Sequence, residues 1–227
     1  MFVTFGILTS NKADNVNMII DSIEACNIPA DRYEIVVIGN VALHRANTRV
    51  LFCEEDETKN WITRKKNAVV DESTAKDDDL VIIAKDYIMY DKGWYDGLVH
   101  FSNTTNFDIV MNPIANAKNQ RYIDWVWNNP AVGAGRNIPY TVSDHHLMFV
   151  PGCFVAAKRR VFNTHRFKEE LVGLGKQSDV EWSTRVLKSF KYVLNPHSKC
   201  IAFGKPSNRY PKFRRICECP RCATEKS

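Results

Sequence analysis

Three polar clusters each follow directly on an apolar run: Thr9-Ser10-Asn11 after Leu8, Gly39-Asn40 after Ile38, and Lys85-Asp86 after Ala84. Hydroxyls and an amide at the start of a helix bring backbone N–H groups and a favourable dipole to a phosphate or another anion. The same residue types also serve as plain helix caps. Asp86 is the carboxylate placed to hold a divalent ion, and Lys85 could supplement that ion. The run Asp77-Asp78-Asp79 carries more charge but precedes its apolar run, whereas Asp86 follows it. At about 3.3 Å per residue, Asp79 and Asp86 lie roughly 20 Å apart and cannot share one ion, so a solvated turn is expected for the triple Asp. Tyr122, Trp125 and Trp127 offer flat faces suited to sugar rings, or equally suited to pinning a loop to the core. Asp144-His145-His146 lacks further ligand spacing, and a structural or surface role is expected. Cys217, Cys219 and Cys222 form C-x-C-x-x-C, a spacing compatible with a structural zinc, whose closed site takes four ligands. Cys200, a histidine or a second chain would supply the fourth; the alternative is a solvated, flexible terminus. G-x-G-x-x-G and G-x-x-x-x-G-K-[ST] do not occur, so the dinucleotide and P-loop readings have no support.

Short apolar strands alternating with amphipathic helices must position these groups, the pattern of an α/β domain with a largely parallel sheet. In such a sheet ligands gather at the carboxyl ends of the strands, where the three clusters stand. Strands are expected over residues 2–8, 33–38, 47–53, 80–84, 109–111 and 192–194. Val16, Ile19, Ile20 and Ile23 mark one helix by their spacing, and Trp94, Leu98 and Phe101 mark another. Further helices are expected over residues 61–70, with the basic cluster Arg64, Lys65 and Lys66, and over 179–190. Periodicity fails from Pro113 to Asp144, and a long irregular segment of this kind is usually functional.

With 227 residues, 44% hydrophobic and 25% charged, the chain has the composition of a globular domain with an appendage. The net charge of +5 resides in residues 205–227, which carry seven basic and two acidic side chains. The neutral body argues against a broad nucleic-acid face. No apolar run approaches the roughly 20 residues of a membrane span. The opening MFVTFGILTSNKADN lacks a basic start and a small-residue cleavage site, so a cytoplasmic placement is expected.

The stretch DLVIIAKDYIMYDKGWYDGL, residues 79–98, resembles the nucleotide-sugar segment of inverting GT-A glycosyltransferases of the family-two type. In that family a strand ends in a D-x-D-like motif, followed by a hydrophobic pair and a W-x-x-x-L helix. Asp86 matches the last Asp, Ala84 replaces the first, and Lys85 stands between them. VPGCFVAAKRRVF and SDVEWSTRVLKSFKYVLNP resemble the family's acceptor-side strand and its E-D-x-E-W-S-x-R helix. Asp179 matches the catalytic Asp, Glu181-Trp182-Ser183 and Arg185 follow in order, and Ser178 stands where Glu is usual. ITRKKNAVV resembles the basic helix that approaches the nucleotide with Lys66 and Asn67. Asn40 stands where an Asp commonly reads the base. The family's late His ligand would fall at Ala202 or Phe203, and His197 is adjacent to Pro196 instead.

The resemblance spans about Phe2 to Pro196. It implies a GT-A, Rossmann-like nucleotide-diphospho-sugar transferase domain over residues 1–204 with a mostly parallel central sheet, and a basic cysteine-bearing tail over 205–227. The implied activity is inverting transfer from a nucleotide-sugar, a UDP-sugar by expectation, to a glycan or glycoprotein hydroxyl. Donor contacts are expected at Thr9, Ser10, Asn11, Asn40, Lys66, Asn67, Lys85 and Asp86, with Mn²⁺ or Mg²⁺ at Asp86. Asp179 is the expected base; its plainer reading is a helix-start carboxylate that complements the dipole. Acceptor contacts are expected at Trp125, Trp127, Glu181 and Trp182. The alternative is a catalytically impaired nucleotide-sugar-binding module, to which Ala84 and Ser178 point.

Overall fold

Val3–Leu8 (β1) is buried at every position, as a central strand covered on both faces must be. In the computed structural model, residues 1–53, 62–129, 134–143, 147–171 and 178–203 are described. Ala13–Glu24 (α1) follows and buries Val16, Ile19, Ile20 and Ile23, the stripe that its spacing requires. Tyr33–Ile38 (β2) and Thr48–Leu51 (β3) extend the sheet to one side. Ile62–Glu72 (α2) precedes Leu80–Lys85 (β4), which pairs with β1 on the other side. Ile88–Tyr90 (β5) and Trp94–Thr104 (α3) come next, then Ile109–Met111 (β6).

The segment expected to be irregular contains three short strands: Ile114–Asn116 (β7), Val126–Asn129 (β8) and Ala134–Asn137 (β9). Strands of three or four residues leave too few alternations to read. A buried carboxylate ties the segment together: Asp124 accepts from the Ile114 N–H at 3.0 Å, the Arg121 Nε at 2.8 Å and the Tyr140 hydroxyl at 2.5 Å. Met148–Phe149 (β10) pairs with β8. Phe154–Lys158 (β11), Arg159–Thr164 (α4), Ser178–Val186 (α5), Tyr192–Leu194 (β12) and Cys200–Ala202 (β13) complete the order. The last helix ends at Val186, short of the expected 190.

Seven strands form the main sheet in the order β12-β6-β11-β4-β1-β2-β3. All run parallel except β11, which is antiparallel to β4 and β6. Alternate residues enter two cores. Phe5, Ile7, Val37, Ile82 and Phe154 pack on the side of α1 and α3, while Val36, Ile38, Val81, Ile83 and Val155 pack on the side of α2, α4 and α5. The chain turns to opposite sides of β1 when it adds β2 and β4, so the strand order reverses between β1 and β4. A crevice at such a switch point is where an open α/β sheet takes its ligand. No helix among the described residues is long and apolar enough to cross a membrane.

Candidate active site

β1 and β4 deliver Thr9 and Asp86 to the two walls of that crevice. Asp86 is 7% exposed, and its Oδ2 accepts the Thr9 hydroxyl at 2.8 Å. Thr9 Oγ1 in turn accepts the Lys12 N–H at 3.3 Å, so one hydroxyl both caps the approach to α1 and orients the carboxylate. The Asn15 amide of α1 donates to the Asp86 carbonyl at 2.9 Å. From α2, the buried Lys65 donates its Nζ to the Thr9 carbonyl at 2.9 Å. Sequence reasoning passed over Lys65 in favour of Lys66; the signal was its place in the same basic cluster.

Asn40 and Ser10 meet at this edge through the Asn40 N–H, which donates to the Ser10 carbonyl at 2.9 Å. Gly39 makes the approach possible, because a Cβ there would overlap the Thr9 carbonyl oxygen. Ser10, Asn11 and Asn40 are exposed. Phe52 stands beside them at the end of β3, 69% exposed, where the Gly39 N–H donates to the Leu51 carbonyl at 3.0 Å. An aromatic just past an apolar strand end is the signal that could have singled it out.

The second carboxylate arrives from the far end of the sequence. The Lys85 N–H donates to the Cys153 carbonyl at 3.0 Å, and the neighbouring Gly152 N–H donates to Asp179 Oδ2 at 3.0 Å. Asp179 therefore stands on the same sheet edge as Lys85 and Asp86, at the start of α5. Its Oδ1 accepts the Val180 N–H at 3.1 Å. Ser183 supports this placement by donating to the Asp179 carbonyl at 2.6 Å and accepting from the Val150 N–H at 2.9 Å.

Among the described residues, three lysines approach this edge together with Asp86 and Asp179. Lys66 is 1% exposed, and burial pulls its ammonium down to about 8 against the pull of Asp179. Burial also lowers the half-buried Lys85 and the buried Lys65 below the usual lysine range, with Asp86 opposing in both cases. Burial pushes the Cys153 thiol up to about 12, so it stays protonated and is no nucleophile.

Among the solved structures that resemble this arrangement are the glycosyltransferases TarS and GalNAc-T7. A crystal structure of S. aureus TarS superposes with a TM-score of 0.63 at 11% identity, covering 91% of this chain and 37% of that one. GalNAc-T7, solved with UDP, GalNAc and Mn²⁺, superposes at 0.65 with 13% identity, covering 91% and 44%. TarS residues 1–349 in complex with UDP-GlcNAc superposes at 0.60 with 12% identity, covering 93% and 62%. The chain has the GT-A fold. It spans 37% to 62% of the length of these similar chains. No family model and no curated protein matches the sequence.

On this GT-A frame several expected contacts are corrected. Trp125 and Trp127 are 1% and 5% exposed and belong to the core on the α1 side, so they are not an open platform for an acceptor. The Trp125 indole N–H donates to the Val142 carbonyl at 2.7 Å, and its ring packs on Tyr192. Trp182 is fully buried and stacks on Phe162 and Phe167 with ring centroids 5.5 and 4.9 Å away. Glu181 is held by Arg185 at 2.8 Å and Lys168 at 3.0 Å, which keep its carboxyl below the usual range. The Glu-Trp-Ser-x-Arg pattern thus positions Asp179 instead of meeting an acceptor. Asn67 is also occupied: its amide nitrogen donates to the Phe167 carbonyl at 2.9 Å and to Glu169 at 2.8 Å, and its oxygen accepts the Phe167 N–H. It clamps the segment before α5 and has no amide hydrogen left for a nucleotide.

Asp86 is the carboxylate that a divalent ion would meet at this edge, with oxygens of the donor needed to complete its shell. Among the described residues no three His, Cys, Asp or Glu side chains are grouped to hold one. Ala84 lies on the apolar α1 side of the sheet at 2% exposure, so β4 offers no second carboxylate, and one Asp86 oxygen is engaged by Thr9. His197 is remote as well: its ring lies on His100 of α3, and its carbonyl lies against Gly97. Phe203, whose N–H donates to the Tyr87 carbonyl at 3.0 Å, is the residue that returns beside Asp86. The Asp144-His145-His146 cluster, the tail cysteines Cys217, Cys219 and Cys222 with their zinc, and the domain boundary at 204 lie outside the described residues.

Proposed function

We propose that this chain transfers a sugar from a nucleotide-sugar to an acceptor hydroxyl, with inversion at the anomeric carbon. The observation that carries the reading is the meeting of Asp86, Lys85 and Asp179 at the switch point of a GT-A sheet, although 92 residues lie between Asp86 and Asp179. The donor lies across the crevice with its base toward Asn40 and Phe52 and its diphosphate toward Lys85, with Asp86, oriented by Thr9, as the carboxylate that would hold a divalent ion beside it. The acceptor oxygen forms its bond to the anomeric carbon as the bond from that carbon to the phosphate oxygen breaks. The electron pair leaves with the nucleoside diphosphate, and the hydroxyl proton passes to Asp179. Backbone N–H groups on both Asp179 oxygens fix the plane of that carboxylate. The UDP and UDP-GlcNAc complexes of the similar structures favour a UDP-sugar, and a glycan or glycoprotein acceptor goes with it.

A test is to incubate the protein with a panel of UDP-, GDP- and dTDP-sugars plus oligosaccharide and glycopeptide acceptors, measuring released nucleoside diphosphate and the product's anomeric configuration. Turnover with one donor class and an inverted product is expected; retention of configuration would remove Asp179 as base. A second reading, a module that binds nucleotide-sugar without transfer, is favoured by Ala84 standing in the apolar core and by Ser178 at the head of α5. Donor binding without turnover would select it.

A further inference from the structure

The transfer needs an acceptor at the end of the crevice where Asp179 stands, and Trp125, Trp127 and Trp182 are too deeply buried to receive one. Cys153 shows what else reaches that end. Its carbonyl accepts the Lys85 N–H, the Gly152 N–H before it bonds to Asp179, and its thiol donates to the Ile123 carbonyl at 3.7 Å. The turn that carries Tyr122 is therefore joined to the same stretch of chain as Lys85 and Asp179. Tyr87 arrives from β4, because it follows Asp86 directly. The two tyrosine rings stand with centroids 6.4 Å apart and planes at 80°, and a hydrogen bond joins their side chains. Both are half-buried.

The support behind Tyr122 is rigid. Its N–H donates to the Ile114 carbonyl at 2.7 Å, and its carbonyl accepts the Asn137 amide at 2.5 Å. Two residues on, the buried Asp124 carboxylate gathers Ile114, Arg121 and Tyr140. A ring whose backbone is fixed on both sides loses little freedom when a ligand lands on it, and this lowers the cost of binding. Burial raises the Tyr87 hydroxyl well above the ordinary tyrosine range, and Cys153 and Tyr122 add to the effect. That hydroxyl stays protonated, so it forms hydrogen bonds and leaves proton removal to Asp179.

A flat apolar ring with a hydroxyl at its rim, set beside carboxylates, matches the surface of a sugar. A pyranose presents C–H groups on its face and hydroxyls around its edge, whereas a serine or threonine side chain has no face to match. We propose that Tyr87 and Tyr122 form the acceptor subsite and that the acceptor hydroxyl belongs to a sugar ring seated on this pair, not to a serine or threonine of a peptide. The inference rests on the nucleotide-sugar reading above.

Two measurements on the full chain test the reading and the inference separately. Calorimetric titration with UDP, GDP and dTDP, with and without Mn²⁺, reads the donor side. Saturation-transfer NMR in the presence of the nucleoside diphosphate that binds then screens methyl glycosides of glucose, galactose, N-acetylglucosamine and N-acetylgalactosamine against a Ser/Thr-rich peptide. At least one glycoside is expected to bind. Tyr122→Ala should weaken it at least about fivefold and Tyr122→Phe should keep most of the affinity, with nucleotide affinity within about twofold in both. Tyr122→Leu preserves apolar bulk without a flat ring and should behave like the alanine variant; thermal melts establish which variants are folded. A folded Tyr122→Leu protein that binds the glycoside as wild type does overturns the inference. So does a loss of nucleotide affinity that parallels the loss of sugar affinity, which marks a structural role. Nucleotide binding with no glycoside bound, or with the peptide bound in its place, overturns the inference and leaves the nucleotide-sugar reading standing. No binding of any nucleotide overturns that reading, and the inference with it.

Discussion

At the amino end of β4, Asp77, Asp78 and Asp79 are occupied by the fold. Asp79 accepts the Phe2 N–H at 2.8 Å and the Lys76 N–H at 2.9 Å, Asp77 accepts the Asn163 amide at 2.8 Å, and Asp78 pairs with Arg160 and Lys158. At the carboxyl end, Lys85 and Asp86 meet Lys65, Lys66 and Asp179 around a crevice. The end with more acidic residues in sequence is therefore the one whose carboxylates are taken up by the fold. What separates them is where the charged groups are gathered: at the carboxyl ends of the strands buried lysines and carboxylates from distant parts of the chain meet around a crevice, which marks a candidate ligand edge.

The strongest way to break the comparison lies at the carboxyl end. Asp179→Asn keeps the acceptor oxygen that faces Gly152 but cannot take a proton, so turnover should fall about 100-fold or more, roughly 2.7 kcal/mol in the barrier. Donor affinity by calorimetry should stay within about twofold. Near-normal turnover would reduce Asp179 to a helix-start carboxylate.

The amino end should respond in the reverse manner. Asp79→Ala leaves the Phe2 and Lys76 N–H groups without their acceptor, which should cost about 2 kcal/mol of stability in a denaturant melt. Turnover of the folded protein should not change. A loss of activity without a loss of stability would mean that this end also reaches the ligand.

Lys66 gives a smaller and pH-dependent effect. Its ammonium titrates near 8 in the fold and near the ordinary 10.5 in the unfolded chain, so between those values the unfolded chain binds more protons. Stability should accordingly rise with pH from about 8 to 10.5, while below 8 the full cost of the buried charge persists. Lys66→Met should gain about 1 kcal/mol at pH 7 and flatten that rise, as seen in melts across pH. A variant with the wild-type slope would place the charge burial elsewhere.

The main sheet was legible because strands such as Val3–Leu8 and Leu80–Lys85 are buried on both faces and read as unbroken apolar runs. The placement of Thr9, Lys85 and Asp86 at strand ends followed from the same signal. The side chains that line a site and those that merely support it could not be told apart. Trp182 and Asn67 fit a functional pattern by type, yet each is consumed by a partner distant in sequence that no spacing reveals, whereas the Glu181–Arg185 pair was legible as an i, i+4 helix pair. Trp125 and Trp127 were misleading for a related reason: a buried Asp124 folds their segment into short strands, and a tertiary hydrogen-bond hub has no periodicity.

Asp78 offers the mildest sharpening of the contrast. Its side chain is 76% exposed although it pairs with Arg160 and Lys158, and Arg160 keeps a second partner in Asp108 at 2.6 Å. A pair in high dielectric gains little Coulomb energy and spends side-chain entropy on holding its geometry. Asp78→Asn should therefore cost no more than about 0.5 kcal/mol, and the difference from wild type should shrink further in 1 M salt, where screening acts within about 3 Å. Melts of both proteins at low and high salt measure this directly. A loss above about 1 kcal/mol that persists in salt would mean that the amino end holds its charges as tightly as the carboxyl end, and the contrast between the two ends of β4 would rest on the ligand edge alone.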